Sequence, residues 1–406
     1  MEACKTLLQQ LISDIPGHMS GIDRQSLIGD RLQRMSPDDR TTLRTVLETA
    51  FIQMAERDAS DIDLGGPGCD GAFWYRIHGV KQPDNSNGSF SMLETDALCQ
   101  NLLTDSQLTY LYREKNLDFS WQVDCDDQRY RFRADLYFDL DHLALNCRYI
   151  VDEIRPFKNL GLHPNAIRQL MLKTDKQGLI LVTGITGSGK SSTLDSIIDA
   201  NNHTVDAHVV IIASPVETIH RPDRCIIRHR EVGQDVRSFK EGAVQALRQD
   251  PDIIVIGEMR DPQTIMTALE ITDSGHKVFS TLHTASAVES IDRIIAECPP
   301  EEQERVRNRL ADTLQCVIAQ KLIPTLDGGR TLAMEVMLIT SSIRAAIKNN
   351  NTGEIYQMIH EGSAKGMQSM EQSLRDLVRS NTISADEAGN YANNKQRMSE
   401  LLGMAV

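Results

Sequence analysis

The stretch "GLILVTGITGSGKSSTLDSIIDA", Gly178 to Ala200, restricts the fold more than any other part of the chain. A short apolar run leads into a Gly-rich turn, then a Lys with hydroxyl residues, then a helical pattern. The turn satisfies G-x-x-x-x-G-K-[ST], in which glycines let several backbone N–H groups point at one anion. The helix that follows presents its positive end to the same anion. This reading places Gly184, Thr186, Gly187, Ser188, Gly189, Lys190, Ser191 and Ser192 around a nucleoside triphosphate. Lys190 is expected to reach the β- and γ-phosphates, and the Ser191 hydroxyl to ligate Mg²⁺.

A strand and helix of this kind need neighbours, and the sequence supplies them. "VVIIAS", "DIIVIGE" and "KVFSTLH" are short β-branched runs separated by helical stretches. That alternation predicts an α/β class with a doubly wound parallel sheet. Such sheets bind ligands at the carboxyl ends of their strands. Glu258 is expected at one such end, able to hold Mg²⁺ or polarise a water; the plain alternative is a strand-end Glu paired with Arg260. Glu217 and His283 are expected at or just past two other strand ends. Each alone is an ordinary loop residue, and together they make a candidate site.

The rest of the chain divides by pattern. Residues 1–57 read as a helical N-terminal extension, with Ser36-Pro37 as a helix start and apolar positions from Leu43 to Met54 at helical spacing. Residues 58–155 read as an α+β domain, with one helical stretch over 92–115 and several antiparallel strands after it. The ATPase-type domain is expected over 156–340 and a helical region over 341–406. A net charge of −14 argues against a nucleic-acid binder. The eight cysteines form no C-x-x-C pair, so neither a zinc site nor a disulfide framework is expected. No apolar run is long enough to span a bilayer and the start lacks a signal-peptide pattern, which gives a cytoplasmic expectation.

The ordered segments "GITGSGKSS", "SPVE", "REVGQDVRSF", "ALRQDPDIIVIGEMRD", "SGHKVFSTLHT" and "IDRII" carry a family resemblance. The chain is similar to the secretion ATPases of type II secretion and type IV pili, and within them to the PilT-like retraction branch. The resemblance runs over roughly residues 58 to 385. It implies a PAS-like N-terminal domain, a RecA-like core and a homohexameric ring that hydrolyses ATP with Mg²⁺ to retract a pilus. It also implies a position at the inner membrane beside a platform protein, with a paralogous pilus ATPase as a further candidate partner and no nucleic acid. Glu258 becomes the Walker B acid and Glu217 the residue that positions the attacking water. His283, with His276 upstream, becomes the γ-phosphate sensor. "RYRFRADLYF" and "NCRYI" resemble the family's arginine segments, so Arg131, Arg133 and Arg148 become candidate cations for the nucleotide. Their plain alternative is cross-strand charge pairing.

Three departures stand out. Where the family's acidic box reads E-D-P-[IV]-E, this chain has Ala213, Ser214, Pro215, Val216 and Glu217. Ile185 replaces a Pro in the phosphate loop, and residues 1–50 exceed the usual N-terminus. "SIRAAIKN", Ser342 to Asn349, matches the branch's A-I-R-N-L-I-R-E helix in part, and simple packing of Ile343 and Ile347 would also explain it. "IAQKLIPTLDGGR" is more similar to the accessory retraction ATPases. Two further functions therefore stay open: a regulatory ATP-binding subunit with weak turnover, and a nucleic-acid translocase.

Overall fold

Three helices open the chain: α1 (Glu2–Ile12), α2 (Gly21–Gln33) and α3 (Pro37–Glu56). The start of α3 follows its sequence signal. The Ser36 hydroxyl accepts the Asp39 N–H at 3.1 Å, and Pro37 takes the first helical position, where no N–H is needed. Its buried face is Leu43, Val46, Leu47, Ala50, Phe51 and Met54. In this computed structural model, which describes residues 1–125, 128–150 and 153–403, the chain forms two compact units, Met1–Asp152 and Glu153–Val406.

The first unit continues with β1 (Ala59–Gly65), β2 (Phe73–Ile77), β3 (Val80–Asp84), α4 (Met92–Gln100) and α5 (Asp105–Glu114). It ends with β4 (Asn116–Cys125), β5 (Gln128–Asp139) and β6 (His142–Ile150). The strands make an antiparallel sheet in the order β3-β2-β1-β6-β5-β4. The helices of residues 1–56 and this sheet share one hydrophobic core, where the rings of Phe51 and Phe132 lie 5.1 Å apart. The helical stretch expected over 92–115 is broken in two. Thr104 caps α5 in a box with Gln107, and that local bonding stops α4 from running on.

The second unit holds α6 (Pro164–Leu170), β7 (Gly178–Thr183), α7 (Lys190–Asn202), β8 (Ala207–Ala213), β9 (Cys225–Glu231) and α8 (Phe239–Ala246). Next come β10 (Ile253–Ile256), α9 (Pro262–Asp273), β11 (Lys277–Leu282), α10 (Ala287–Ala296) and α11 (Gln303–Thr313). The last elements are β12 (Leu314–Pro324), β13 (Arg330–Leu338), α12 (Ser341–Lys348), α13 (Ile355–Glu361), α14 (Met370–Arg379), α15 (Ala385–Tyr391) and α16 (Lys395–Leu402).

The sheet order is β13-β12-β7-β11-β10-β8-β9, parallel throughout except for β13. The α/β class read from the strand–helix alternation is the observed one, and the order of this sheet is that of the RecA-like core the family resemblance implies. Residues of β7, β10 and β11 are all buried, which is why β7 and β10 are largely apolar rather than alternating, while β11 also buries Lys277, Ser280 and Thr281. In α12 both Ile343 and Ile347 are fully buried, and Arg344 Nε donates to the Ala311 carbonyl of α11 at 3.0 Å. That helix is docked on its own unit. All eight cysteines are free.

Candidate nucleotide site

Register brings the chemistry to one edge of the parallel sheet. Thr183 pairs with Leu282, and Ile256 pairs with both Ser280 and Ile212. Gly184, Ala213, Gly257 and His283 therefore sit at or just beyond the same carboxyl edge. Gly184 has φ +151°, and a Cβ there would fall 2.3 Å from Ser188 Oγ and 2.5 Å from the Gln320 carbonyl. Only glycine lets the loop close this tightly. Gly189, at φ +85°, turns the loop into α7.

Lys190 is buried to 9% exposure, and its Nζ donates to the carbonyls of Gly184 at 2.8 Å and Ile185 at 3.2 Å. Burial pulls its pKa below the ordinary lysine value, while the carboxylates of Glu258 and Glu217 oppose that shift. The ammonium thus feels both acids. Ser191 and Ser192 are exposed in the first turn of α7. Ser188 Oγ is buried, with no hydrogen-bond partner among the described residues.

Across the edge, Glu258 Oε1 receives Arg260 Nε at 2.5 Å and lies 3.3 Å from His283 Nε2. The pairing with Arg260 is present, and it shares its oxygen with the imidazole. His283 Nδ1 is 3.5 Å from Thr186 Oγ1 of the phosphate loop. Burial is the first cause that lowers the His283 pKa; Lys190, Arg260 and Arg293 add to it and Glu258 opposes it. A chain of contacts therefore links loop, imidazole and acid.

His276 does not join this group. It precedes β11 and bonds Ser274 Oγ at 2.9 Å, so the six residues of β11 separate it from His283. Arg131, Arg133 and Arg148 lie in the first unit. Arg133 and Arg148 face each other across β5 and β6, and Arg131 is two residues before Arg133 on the same face. Arg148 Nε donates to Asp61 Oδ1 at 2.9 Å, and Arg133 lies 3.7 Å from Asp118. These are cross-strand ion pairs.

Sequence reasoning missed Gln320. It lies in β12, next to β7, and its Nε2 donates to the Ser188 carbonyl at 2.7 Å. No local pattern marks it, because β12 meets the loop only through the sheet. Among the described residues no cluster of three His, Cys, Asp or Glu could enclose a metal. The Ser191 hydroxyl and the Glu258 carboxylate are hard oxygen donors. They fit Mg²⁺, which takes its remaining ligands from phosphate and water. No helix among the described residues is long and apolar enough to cross a membrane.

The model of a family described as type II/IV secretion system protein matches residues 148–329. The type IV pilus retraction ATPase PilT of Pseudomonas aeruginosa is 37% identical over 295 residues, 73% of this chain and 84% of that protein. A twitching motility protein of Neisseria gonorrhoeae is 35% identical over 80% of this chain and 85% of its own length. The crystal structure of a pilus retraction motor PilT with bound ADP superimposes with a TM-score of 0.77 at 34% identity, covering 87% of this chain and 98% of that one.

Proposed function

The chain belongs to the type II/IV secretion ATPase family, and from that premise we propose that it is a homohexameric ATPase that powers retraction of a type IV pilus. The observation that carries the proposal is the linked group of Lys190, Glu258, His283 and Thr186 at the sheet edge.

The substrate is ATP. Lys190 exchanges two neutral carbonyl acceptors for phosphate oxygens, which make stronger, charge-assisted bonds. The α7 N-terminus and the loop N–H groups hold the rest of the phosphate chain. Ser191 and Glu258 hold Mg²⁺, which neutralises charge on the phosphates. Glu217 orients the attacking water, and His283 reports the γ-phosphate to Thr186 and Glu258. The family resemblance makes Arg131, Arg133 and Arg148 candidate cations for the transferred phosphoryl group, against the alternative of the cross-strand pairs that Arg133 and Arg148 form. Phosphoryl transfer needs placement of charge more than covalent chemistry, so moving these groups gates turnover. The proposed setting is the cytoplasmic face of the inner membrane, beside a platform protein and a paralogous pilus ATPase.

A steady-state ATPase assay of wild type beside Lys190→Ala, Glu258→Ala and Glu217→Ala tests this. Wild-type turnover no faster than the Lys190 and Glu258 variants would defeat the motor reading.

One observation favours a second reading, an ATP-binding regulatory subunit with weak turnover. Ala213 and Ser214 stand where the acidic box implied by the family resemblance has Glu and Asp. Ala213→Glu combined with Ser214→Asp should then raise turnover strongly, and an unchanged rate would remove this reading. DNA-stimulated ATPase activity would point instead to a translocase.

A further inference from the structure

Glu217 sits in a segment, residues 214–220, that has neither strand nor helix to hold it. Two other carboxylates fix its neighbours. On one side, Glu231, the last residue of β9, accepts the Val216 N–H at 3.0 Å. On the other, Asp195 of α7 accepts the Thr218 hydroxyl at 2.8 Å through Oδ2 and meets His220 Nε2 at 3.2 Å through Oδ1. Asp195 thus uses both oxygens on one short segment.

The His220 side chain is fully buried, and its Nδ1 has no hydrogen-bond partner among the described residues. A carboxylate only accepts, so Nε2 carries the hydrogen that Asp195 receives. The His220 ring stacks on His229 at 5.9 Å, and its backbone N–H donates to His229 Nε2 at 3.1 Å. The ring cannot swing away without breaking this set. Asp195 is five residues beyond Lys190 on the same helix, about 7.5 Å along its axis. A rigid helix therefore links the ammonium that grips phosphate to the segment that carries Glu217.

We propose that Asp195 is a positioning residue: with Thr218 and His220 it clamps the Glu217 segment to the phosphate-loop helix and so sets where Glu217 points. This rests on the reading of Glu217 as the residue that orients water. Ahead of Glu217 this chain has Ala213 and Ser214, where the family resemblance implies two acids, and the clamp reaches the same segment from α7.

The test uses the full-length chain. Asp195→Ala should lower kcat about 10- to 100-fold, the scale of an ångström-size misplacement of a catalytic group. The KM for ATP and the affinity for a fluorescent ADP analogue should stay within about threefold, because phosphate binding does not depend on the clamp. Thr218→Val, which removes one of the two bonds, should fall in between. On a Glu217→Ala background Asp195→Ala should cost nothing more. Hydrogen exchange at the amides of residues 216–220 should rise at least about tenfold in Asp195→Ala, with the β7 and β11 amides unchanged. Wild-type kcat in Asp195→Ala, full additivity with Glu217→Ala, or unchanged exchange would each overturn the clamp. If Glu217→Ala itself keeps wild-type kcat, the reading of Glu217 fails, and the exchange result still decides whether Asp195 holds the segment.

Discussion

His283 shows how a single side chain can take its chemistry from its surroundings. Burial and the nearby cations Lys190, Arg260 and Arg293 hold its pKa below the ordinary 6.5, against the pull of Glu258. The imidazole is then neutral at pH 7 and can donate or accept. We predict that the midpoint of the acid limb of kcat/KM for ATP lies below the ordinary histidine value of 6.5, as His283 protonates. His283→Asn should flatten that acid limb, and a pH–rate profile of both proteins checks this. Gln320 works at the same scale on binding. Its amide props the Ser188 carbonyl, so Gln320→Ala should loosen the loop and weaken ADP analogue binding about 5- to 30-fold, the effect of about 1–2 kcal/mol. Unchanged affinity in a titration would remove that role.

Glu335 ties elements together. It lies in β13, accepts the Ala287 N–H that begins α10 at 2.7 Å, and receives the Met370 N–H at the start of α14. Burial pushes its pKa up to about 7, and Glu371 adds to the push while the two N–H groups and Lys321 oppose it. The folded-state value is above the unfolded one, so the folded chain binds the extra proton. Stability therefore rises as pH falls through 7 and is lost as pH rises through it. Between pH 8 and pH 6 the gain is about 1 kcal/mol. Thermal melts should show wild type gaining stability over that window and Glu335→Gln gaining less. The elements also show where patterning suffices. Ser36 and Pro37 mark the start of α3 correctly, whereas the end of α4 depends on whether Thr104 bonds backward or forward.

At the level of the whole chain, residues 1–57 read from sequence as an extension, yet Leu43, Leu47, Phe51 and Met54 are at most 1% exposed. They fill the core beneath the antiparallel sheet. Removing them would strip that sheet of one apolar face, at roughly 2–5 kcal/mol for each large side chain. We predict that a chain starting at residue 58 will be insoluble or will lose the first unit's cooperative unfolding; a soluble, two-transition melt would contradict this. The proposed ring makes a second prediction at this scale. Light scattering with nucleotide should return six times the 45.4 kDa chain mass, and a stable monomer under all conditions would count against it.

Local chemistry alone made the phosphate loop, α7 and the central strands legible. A Gly-rich turn between an apolar run and a helix has few other folded forms, and parallel strands buried on both faces are mostly apolar. The same logic placed Glu258 and His283 at strand ends. Tertiary structure decided the rest. It separated His276 from His283, because a strand has two ends and a motif does not show which end is used. It brought Gln320 under the loop and Asp195 against His220, contacts between residues 132 and 25 positions apart in the chain. Such pairings leave no periodic trace, since the partner is chosen by strand order and helix packing.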